Sequence, residues 1–176
     1  MGKVTSRAMF VVVSFAVILI TFVMVTVAPT QAQAAPYPDV KKSEVGAQAY
    51  KSIGFVKTKG GYKGVIAKTK YVKQKNGLYK KVKAKFKPGK TVKRSELLTI
   101  LGNLYGAKNV PVTYNDAKAA NKAVTAKYIC NKLVEVGKRL GKEITWKTKS
   151  NAKLNRASVA NYLYVFANFD SHFMPK

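Results

Sequence analysis

Two arginines, Arg94 and Arg156, stand at matching places in two segments that share one pattern. Apolar residues follow each arginine at offsets of 3, 6, 7 and 10. They are Leu97, Ile100, Leu101 and Leu104 in the first segment, and Val159, Tyr162, Leu163 and Phe166 in the second. This spacing predicts one apolar face of an α-helix, with the arginine in its first turn. A guanidinium there could meet an anion, because the free N–H groups of a helix start also favour negative charge.

The two segments lie 62 residues apart along the chain. A repeat of about this length is typical of stacked supersecondary units. The alternative is coincidence, because any two amphipathic helices share such a stripe.

The arginine segments, Val-Lys-Arg-Ser-Glu at 92–96 and Leu-Asn-Arg-Ala-Ser at 154–158, resemble the Thr-Arg-Ala-Glu signature of S-layer homology domains. Those domains anchor bacterial surface proteins to wall polysaccharide. Tyr114-Asn-Asp116 is similar to the aromatic-x-Asp that opens such a repeat, so the resemblance covers about residues 90–170.

The resemblance implies that each arginine meets an acidic group of the polymer while its neighbours cap the helix. The polymer-binding residues that it implies are Arg94, Glu96, Arg156 and Ser158. The chain departs from the family's pattern at Lys93, where a helix cap is expected, and at Ser158, where a glutamate is expected.

Between Ile53 and Phe86, short apolar or aromatic runs alternate with lysine. Strict alternation at residues 81–86 predicts a strand with one charged face. Asn76-Gly77 is a strong hairpin signal, and Gly60-Gly61 indicates an earlier turn. The region therefore predicts a small antiparallel sheet of three or four strands.

Lysines and tyrosines of that sheet are the second set of candidate binding residues. They are Lys73, Lys80, Lys83, Lys85, Tyr71 and Tyr79. Lysines attract a polyanion, and tyrosine rings can stack on sugars or bases. The alternative is a solvated sheet face whose lysines protect its edges from aggregation.

The predicted fold class is α+β, a small lysine-rich antiparallel sheet followed by a three-helix bundle like that of S-layer homology domains. The expected parts are a signal peptide at 1–34, a loosely ordered linker at 35–50, a basic β-rich segment at 51–90, the helical domain at 91–170 and a tail at 171–176. In the helical domain we expect a helix over 117–140, capped by Asp116, and Trp146 packed against the core.

The charge of the chain is +26, from 33 basic and 7 acidic residues, which implies an anionic partner. At the N-terminus, Lys3 and Arg7 precede an apolar run from Met9 to Val27 and an Ala32-Gln-Ala34 site. This is the pattern of a secretory signal peptide cleaved after Ala34, and the alternative is a retained membrane anchor. Both place the remainder outside the cytoplasm and argue against chromosomal DNA as the partner.

Residues that could catalyse a reaction are few and dispersed. His172 is the one histidine, Cys130 is the one cysteine, and neither a metal-ligand spacing nor a phosphate loop is present. We therefore expect no enzyme activity and no cofactor.

The sequence favours a secreted protein of the bacterial surface that binds anionic cell-wall polymer, teichoic acid or acidic polysaccharide, and that can join a surface layer with other proteins. An extracellular cationic protein that binds nucleic acid or an anionic membrane is the alternative. A third reading is that the charge reflects adaptation to external pH or salt, with no preferred polyanion.

Overall fold

The computed structural model describes residues 35–66, 69–169 and 175, and for Lys70 the backbone alone. The predicted signal peptide lies outside the described residues, and so does the predicted tail except for Pro175. In chain order the elements are α1 Lys42–Val45, α2 Ala47–Thr58, β1 Thr69–Lys73, β2 Tyr79–Lys83, α3 Arg94–Tyr105, a 3₁₀ turn Ala107–Asn109, α4 Tyr114–Lys118, α5 Ala126–Arg139 and α6 Arg156–Ala167. The chain is α+β, as predicted.

The starts of α3, α5 and α6 are joined by a closed ring of backbone hydrogen bonds. Val92 N donates to Leu154 O (3.1 Å), Leu154 N to Val124 O (2.9 Å), and Val124 N to Val92 O (2.8 Å). Each of these residues lies two positions before the first residue of its helix. We call residues 92–94, 124–126 and 154–156 the helix-start ring.

The first N–H group of each ring helix is satisfied in the same way. The amide nitrogen of Arg94 donates to Lys122 O, that of Ala126 to Ala152 O, and that of Arg156 to Lys90 O. The first N–H group of a helix has no acceptor within its own helix. Here the segment that precedes a neighbouring helix supplies the carbonyl that accepts it. The ring fixes how the three helices begin relative to one another.

The apolar faces predicted for the two arginine helices are buried. Leu97, Ile100, Leu101 and Leu104 of α3 are buried, as are Val159, Leu163 and Phe166 of α6, while Tyr162 is half-buried. Trp146 is half-buried and lies 6.2 Å from the Phe166 ring, so its predicted packing against the core is confirmed.

Helix α2 occupies the first part of the region between Ile53 and Phe86, where we predicted strands, and for this part the prediction is wrong. Ile53 and Val56, three residues apart, are fully buried, because α2 packs along α6. Ser52 Oγ donates to Asn161 Oδ1 at 3.2 Å, and the Phe55 ring meets the Tyr164 ring edge-on at 5.3 Å. A helix face buried against another helix outweighs the local alternation with lysine.

Residues 35–50 are held in the fold rather than loosely ordered, so that prediction is also corrected. Val40 is 1% exposed, and the Tyr37 ring stacks on Phe86 with centroids 5.1 Å apart. The Asp39 carboxylate accepts the N–H groups of Phe86 (2.7 Å) and Lys87 (2.8 Å). This segment therefore anchors the chain that leaves β2.

The described residues contain a two-stranded antiparallel hairpin, β1–β2, instead of the three or four strands predicted. Tyr71 pairs with Lys81, and Lys73 pairs with Tyr79. The turn predicted at Asn76-Gly77 is confirmed, because Gln74 N donates to Leu78 O and Gly77 has φ of 80°. Such a left-handed φ favours glycine.

The helix predicted over 117–140 is two helices, α4 and α5. The chain between them turns at residues 119–122 and is extended only at 123–125, where Val124 belongs to the helix-start ring. Thr125, whose Oγ1 accepts from Tyr128 N, is the N-cap of α5. Asp116 is not the cap that we predicted: Thr113 caps α4, and Asp116 lies in its first turn.

Candidate anion-binding surface

Arg156 is buried at the start of α6 and 6% exposed. Its Nη1 donates to Phe86 O at 2.5 Å, and its Nη2 lies 3.5 Å from Glu96 Oε1. Lys90 Nζ lies 3.5 Å from the same oxygen, and Lys93 N donates to the other carboxylate oxygen at 3.0 Å. Arg156 therefore ties α6 to the chain leaving the hairpin and to α3, and its guanidinium is not free at the surface.

Ser158, the fourth residue implied by the resemblance, is half-buried. Its backbone N–H donates to Asn155 Oδ1 at 2.8 Å, so Asn155 is the N-cap of α6. Ser158 thus takes part in starting the helix through its backbone.

Arg94 is half-buried and lies over an aromatic ring of α5. Its Cζ is 4.1 Å from the centroid of the Tyr128 ring, a distance typical of a cation–π contact. The Tyr128 hydroxyl in turn donates to Asp116 Oδ1 at 2.8 Å. Arg94 Nε is buried and has no hydrogen-bond partner within the described residues.

Asp116 and Lys132 form a buried ion pair next to this stack. Lys132 Nζ lies 2.7 Å from Asp116 Oδ2 and 2.8 Å from Glu135 Oε2, and it donates to Pro111 O at 3.0 Å. Burial alone would raise the pKa of Asp116, but hydrogen bonds from Lys132, Thr113 and Tyr128 outweigh it and hold that pKa below the ordinary value. Burial alone would lower the pKa of Lys132, but the two carboxylates raise it. The pair therefore stays charged across the neutral range.

The middle member of the helix-start ring, residues 124–126, is the unit that the sequence argument missed. Val92, Val124 and Leu154 stand 32 and 30 residues apart, so the 62-residue spacing spans two shorter repeats. Ala126 takes the position that Arg94 and Arg156 hold in the other units. Val124 and Thr125, an apolar residue followed by a residue that can cap a helix, lie about halfway between the two arginine segments and could have indicated this unit.

The hairpin has two chemically different faces, because cross-strand partners lie on the same side of a sheet. One face, which we call the tyrosine face, carries Thr69, Tyr71, Lys73, Tyr79, Lys81 and Lys83. The opposite face, the valine face, carries Val72, Lys80 and Val82. Tyr71 and Tyr79 are 62% and 67% exposed, so both rings are accessible.

The structure divides the predicted sheet residues between these faces. Tyr71, Tyr79, Lys73 and Lys83 lie together on the tyrosine face, Lys80 lies on the valine face, and Lys85 follows β2. Lys81 was missed, and its place on the tyrosine face follows from its pairing with Tyr71. Residues 69–85 contain seven lysines and no Asp or Glu, so the hairpin offers no internal counter-charge.

A cleft of about 580 Å³ separates the valine face from the helical part of the fold. The lining residues include no carboxylate. They are apolar side chains, Thr69 and the cations Lys83, Lys85, Lys87, Lys90 and Arg156. Anions in this cleft would meet several cations in a partly enclosed space.

Other chemistry is not supported by the part of the chain that the structure describes. Cys130 is buried, and burial raises the pKa of its thiol, which disfavours the reactive thiolate. No cluster of three potential metal ligands occurs among residues 35–66, 69–169 and 175. Nor does any helix in those ranges have the length and apolar character needed to cross a membrane.

The chain was compared with protein-family models, curated proteins and solved structures, and none of them matches it.

Proposed function

We propose that the protein is a secreted, non-enzymatic protein of the bacterial surface that binds anionic cell-wall polymer, teichoic acid or acidic polysaccharide. The observation that supports this proposal is the tyrosine face. It combines accessible tyrosines and lysines on a hairpin whose residues 69–85 include no acid. The polymer would lie along this face.

Binding would come mainly from charge. Each lysine that approaches the polymer releases condensed counterions, so affinity should fall steeply with added salt. Lysine is a compact point charge that suits diffuse attraction to a flexible polymer rather than bidentate recognition of one planar group. Tyr71 and Tyr79 would add stacking on sugar rings.

The arginines would act indirectly in this proposal. Arg156 is held by Phe86 and Glu96, and Arg94 lies on Tyr128, so both would position the scaffold that presents the hairpin. We also propose that α3, α5 and α6 form a unit like that of S-layer homology domains, and that the protein can join a surface layer.

The test is retention of purified protein on cell-wall sacculi before and after chemical removal of their anionic polymers, across a salt series. We expect retention on intact walls at low salt, a steep loss as salt rises, and little retention on stripped walls. Equal retention on intact and stripped walls would rule out the anionic polymer as the ligand.

Extracellular nucleic acid is the second candidate, and the pairing of Tyr71 and Tyr79 with lysines on one face is the observation that favours it. Exposed aromatic rings within a basic surface are typical of single-strand binding. Competition separates the two candidates: soluble wall polymer should displace the protein from single-stranded DNA under the first, and DNA should displace it from walls under the second.

A further inference from the structure

The valine face exposes apolar surface that polymer binding on the tyrosine face does not use. Val72 is 44% exposed and Val82 is 38% exposed, although both line the cleft opposite the helical part of the fold. Val65 and Ile66 line the same cleft. One portion of the cleft is therefore walled by branched apolar side chains.

Cations also line the cleft, and they include Lys83 of β2 and Lys85 just after it. Arg156 and Lys90 both approach Glu96 Oε1 at 3.5 Å, which places them side by side, and Lys87 follows the Phe86 carbonyl that Arg156 binds. Glu96 is the carboxylate that they share, and it is not among the residues lining the cleft. The positive charge at this end is only partly compensated.

Apolar and cationic side chains both line the cleft along the chain that leaves β2, where Lys83 follows Val82 and Lys85 follows Ala84. Val82 belongs to the hairpin, and a few residues later the Phe86 carbonyl accepts the hydrogen bond from Arg156. A hydrophilic polyanion would leave the valines uncovered, and a neutral apolar molecule would leave the cations without a partner. The volume of about 580 Å³ lies in the usual range of small-molecule sites, about 300–1,000 Å³.

We propose that this cleft binds an amphipathic anion, an alkyl chain that ends in a phosphate group. The alkyl chain lies against Val72 and Val82, and the phosphate meets Lys87 and Lys90. Thr69 and Lys83 belong to the tyrosine face and also line the cleft, but Val72, Val82, Lys87 and Lys90 lie off that face. Binding in the cleft therefore does not depend on wall-polymer binding. The ligand can be a free amphiphile or the lipid end of a larger anionic molecule, because both present the same chemistry.

The probe is monomeric dodecyl phosphate, kept below its micelle concentration. We expect it to bind at least tenfold more tightly than butyl phosphate, which lacks the chain, or dodecyl maltoside, which lacks the charge, as measured by titration calorimetry. The methyl resonances of Val72 and Val82 should shift in NMR spectra. If butyl phosphate binds as tightly as dodecyl phosphate, the cleft does not recognise the alkyl chain. If dodecyl maltoside binds as tightly, the cleft does not recognise the negative charge.

The variant Val72→Thr/Val82→Thr tests the location, because threonine keeps the branched shape and the strand preference while adding a hydroxyl. Its matched control is Val112→Thr, at an exposed valine outside the cleft. We expect the double variant to bind dodecyl phosphate about tenfold more weakly and the control to bind normally. Unchanged affinity in the double variant would overturn the assignment.

Two further measurements separate this site from its rivals. Vesicles containing phosphatidylglycerol test for a lipid surface, and binding to them without any response to monomeric dodecyl phosphate would contradict the cleft. Sacculus retention of the same double variant should remain normal. If the unaltered protein binds dodecyl phosphate but is not retained on walls, only the proposed function is contradicted.

Discussion

The helix-start ring and the hairpin use charged side chains in opposite ways. Around the ring, Arg156 contacts Glu96 and Lys132 contacts Asp116 and Glu135, mostly out of solvent. In the hairpin, residues 69–85 contain seven lysines and no acid, and the described side chains of both strands are exposed. Glu96, Asp116 and Glu135 thus stabilise the scaffold, whereas the hairpin lysines stay free to meet a partner.

The largest effect should come from breaking the buried pair beside the ring. We expect Lys132→Met to lower the free energy of unfolding by about 3 kcal/mol or more, because it leaves Asp116 buried without its cation. Lys138→Met, at an exposed lysine of the same helix, should change it by less than about 0.5 kcal/mol. Urea unfolding measures both, and equal values would show that the pair does not hold the ring region together.

Arg156→Met separates a structural role of this arginine from direct polymer contact. We expect a loss of about 2–3 kcal/mol in unfolding free energy, because a charged hydrogen bond to Phe86 O and the contact with Glu96 disappear. Wall retention of the folded variant should match that of Arg139→Met, which removes an exposed arginine. Normal stability with lost retention would instead support the contact that the S-layer homology resemblance implies.

Acid should destabilise the protein through Asp116. The pKa of this carboxyl is lower in the folded protein than its ordinary value of 3.8, so the ionised form stabilises the fold above about pH 4. That contribution is lost as the pH falls below 4 toward the folded pKa. Urea midpoints measured from pH 7 to pH 2 should fall less steeply for Asp116→Asn than for the unaltered protein. Glu44→Gln, at an exposed carboxylate, should keep the original steepness.

Removing charge from the tyrosine face should weaken polymer binding more than removing it elsewhere. The hairpin variant replaces Lys73, Lys81 and Lys83 with glutamine, and the control replaces Lys118, Lys122 and Lys138. We expect the hairpin variant to lower the slope of log affinity against log salt by roughly 2 to 3, because about that many counterions are no longer released. Identical slopes for the two variants would mean that only net charge matters.

The smallest effect should come from the hairpin turn. Gly77→Ala forces a side chain into a left-handed conformation, with φ of 80°, and should cost about 1–2 kcal/mol within the hairpin. Cross-strand NMR contacts between Tyr71 and Lys81 should weaken while the global unfolding midpoint stays the same. A lowered global midpoint would show that the hairpin folds as one unit with the helices.

Features set by nearby residues were predictable from the sequence. The stripes of α3 and α6 follow a 3.6-residue period over three turns, and Asn76-Gly77 specifies its own turn. Asn155 caps α6 through a hydrogen bond from the N–H group of Ser158, three residues later, and asparagine is a preferred N-cap residue. These signals need no knowledge of distant contacts.

Features set by distant residues were not predictable. Helix α2 is stabilised by packing on α6, more than a hundred residues away in the sequence. The residues at 47–58 do not by themselves indicate that contact. The role of Arg156 depends on Phe86 and Glu96, so a sequence pattern could place it at a helix start but not show that it is buried. The ring was hidden because Ala126 lacks the arginine that identified the other two units.

The most direct test of the account is an NMR titration of isotope-labelled protein with soluble fragments of teichoic acid. If the polymer lies along the tyrosine face, amide shifts should concentrate at Tyr71, Lys73, Tyr79, Lys81 and Lys83. Shifts concentrated instead at Arg94 and Arg156, or spread evenly over all exposed lysines, would contradict it.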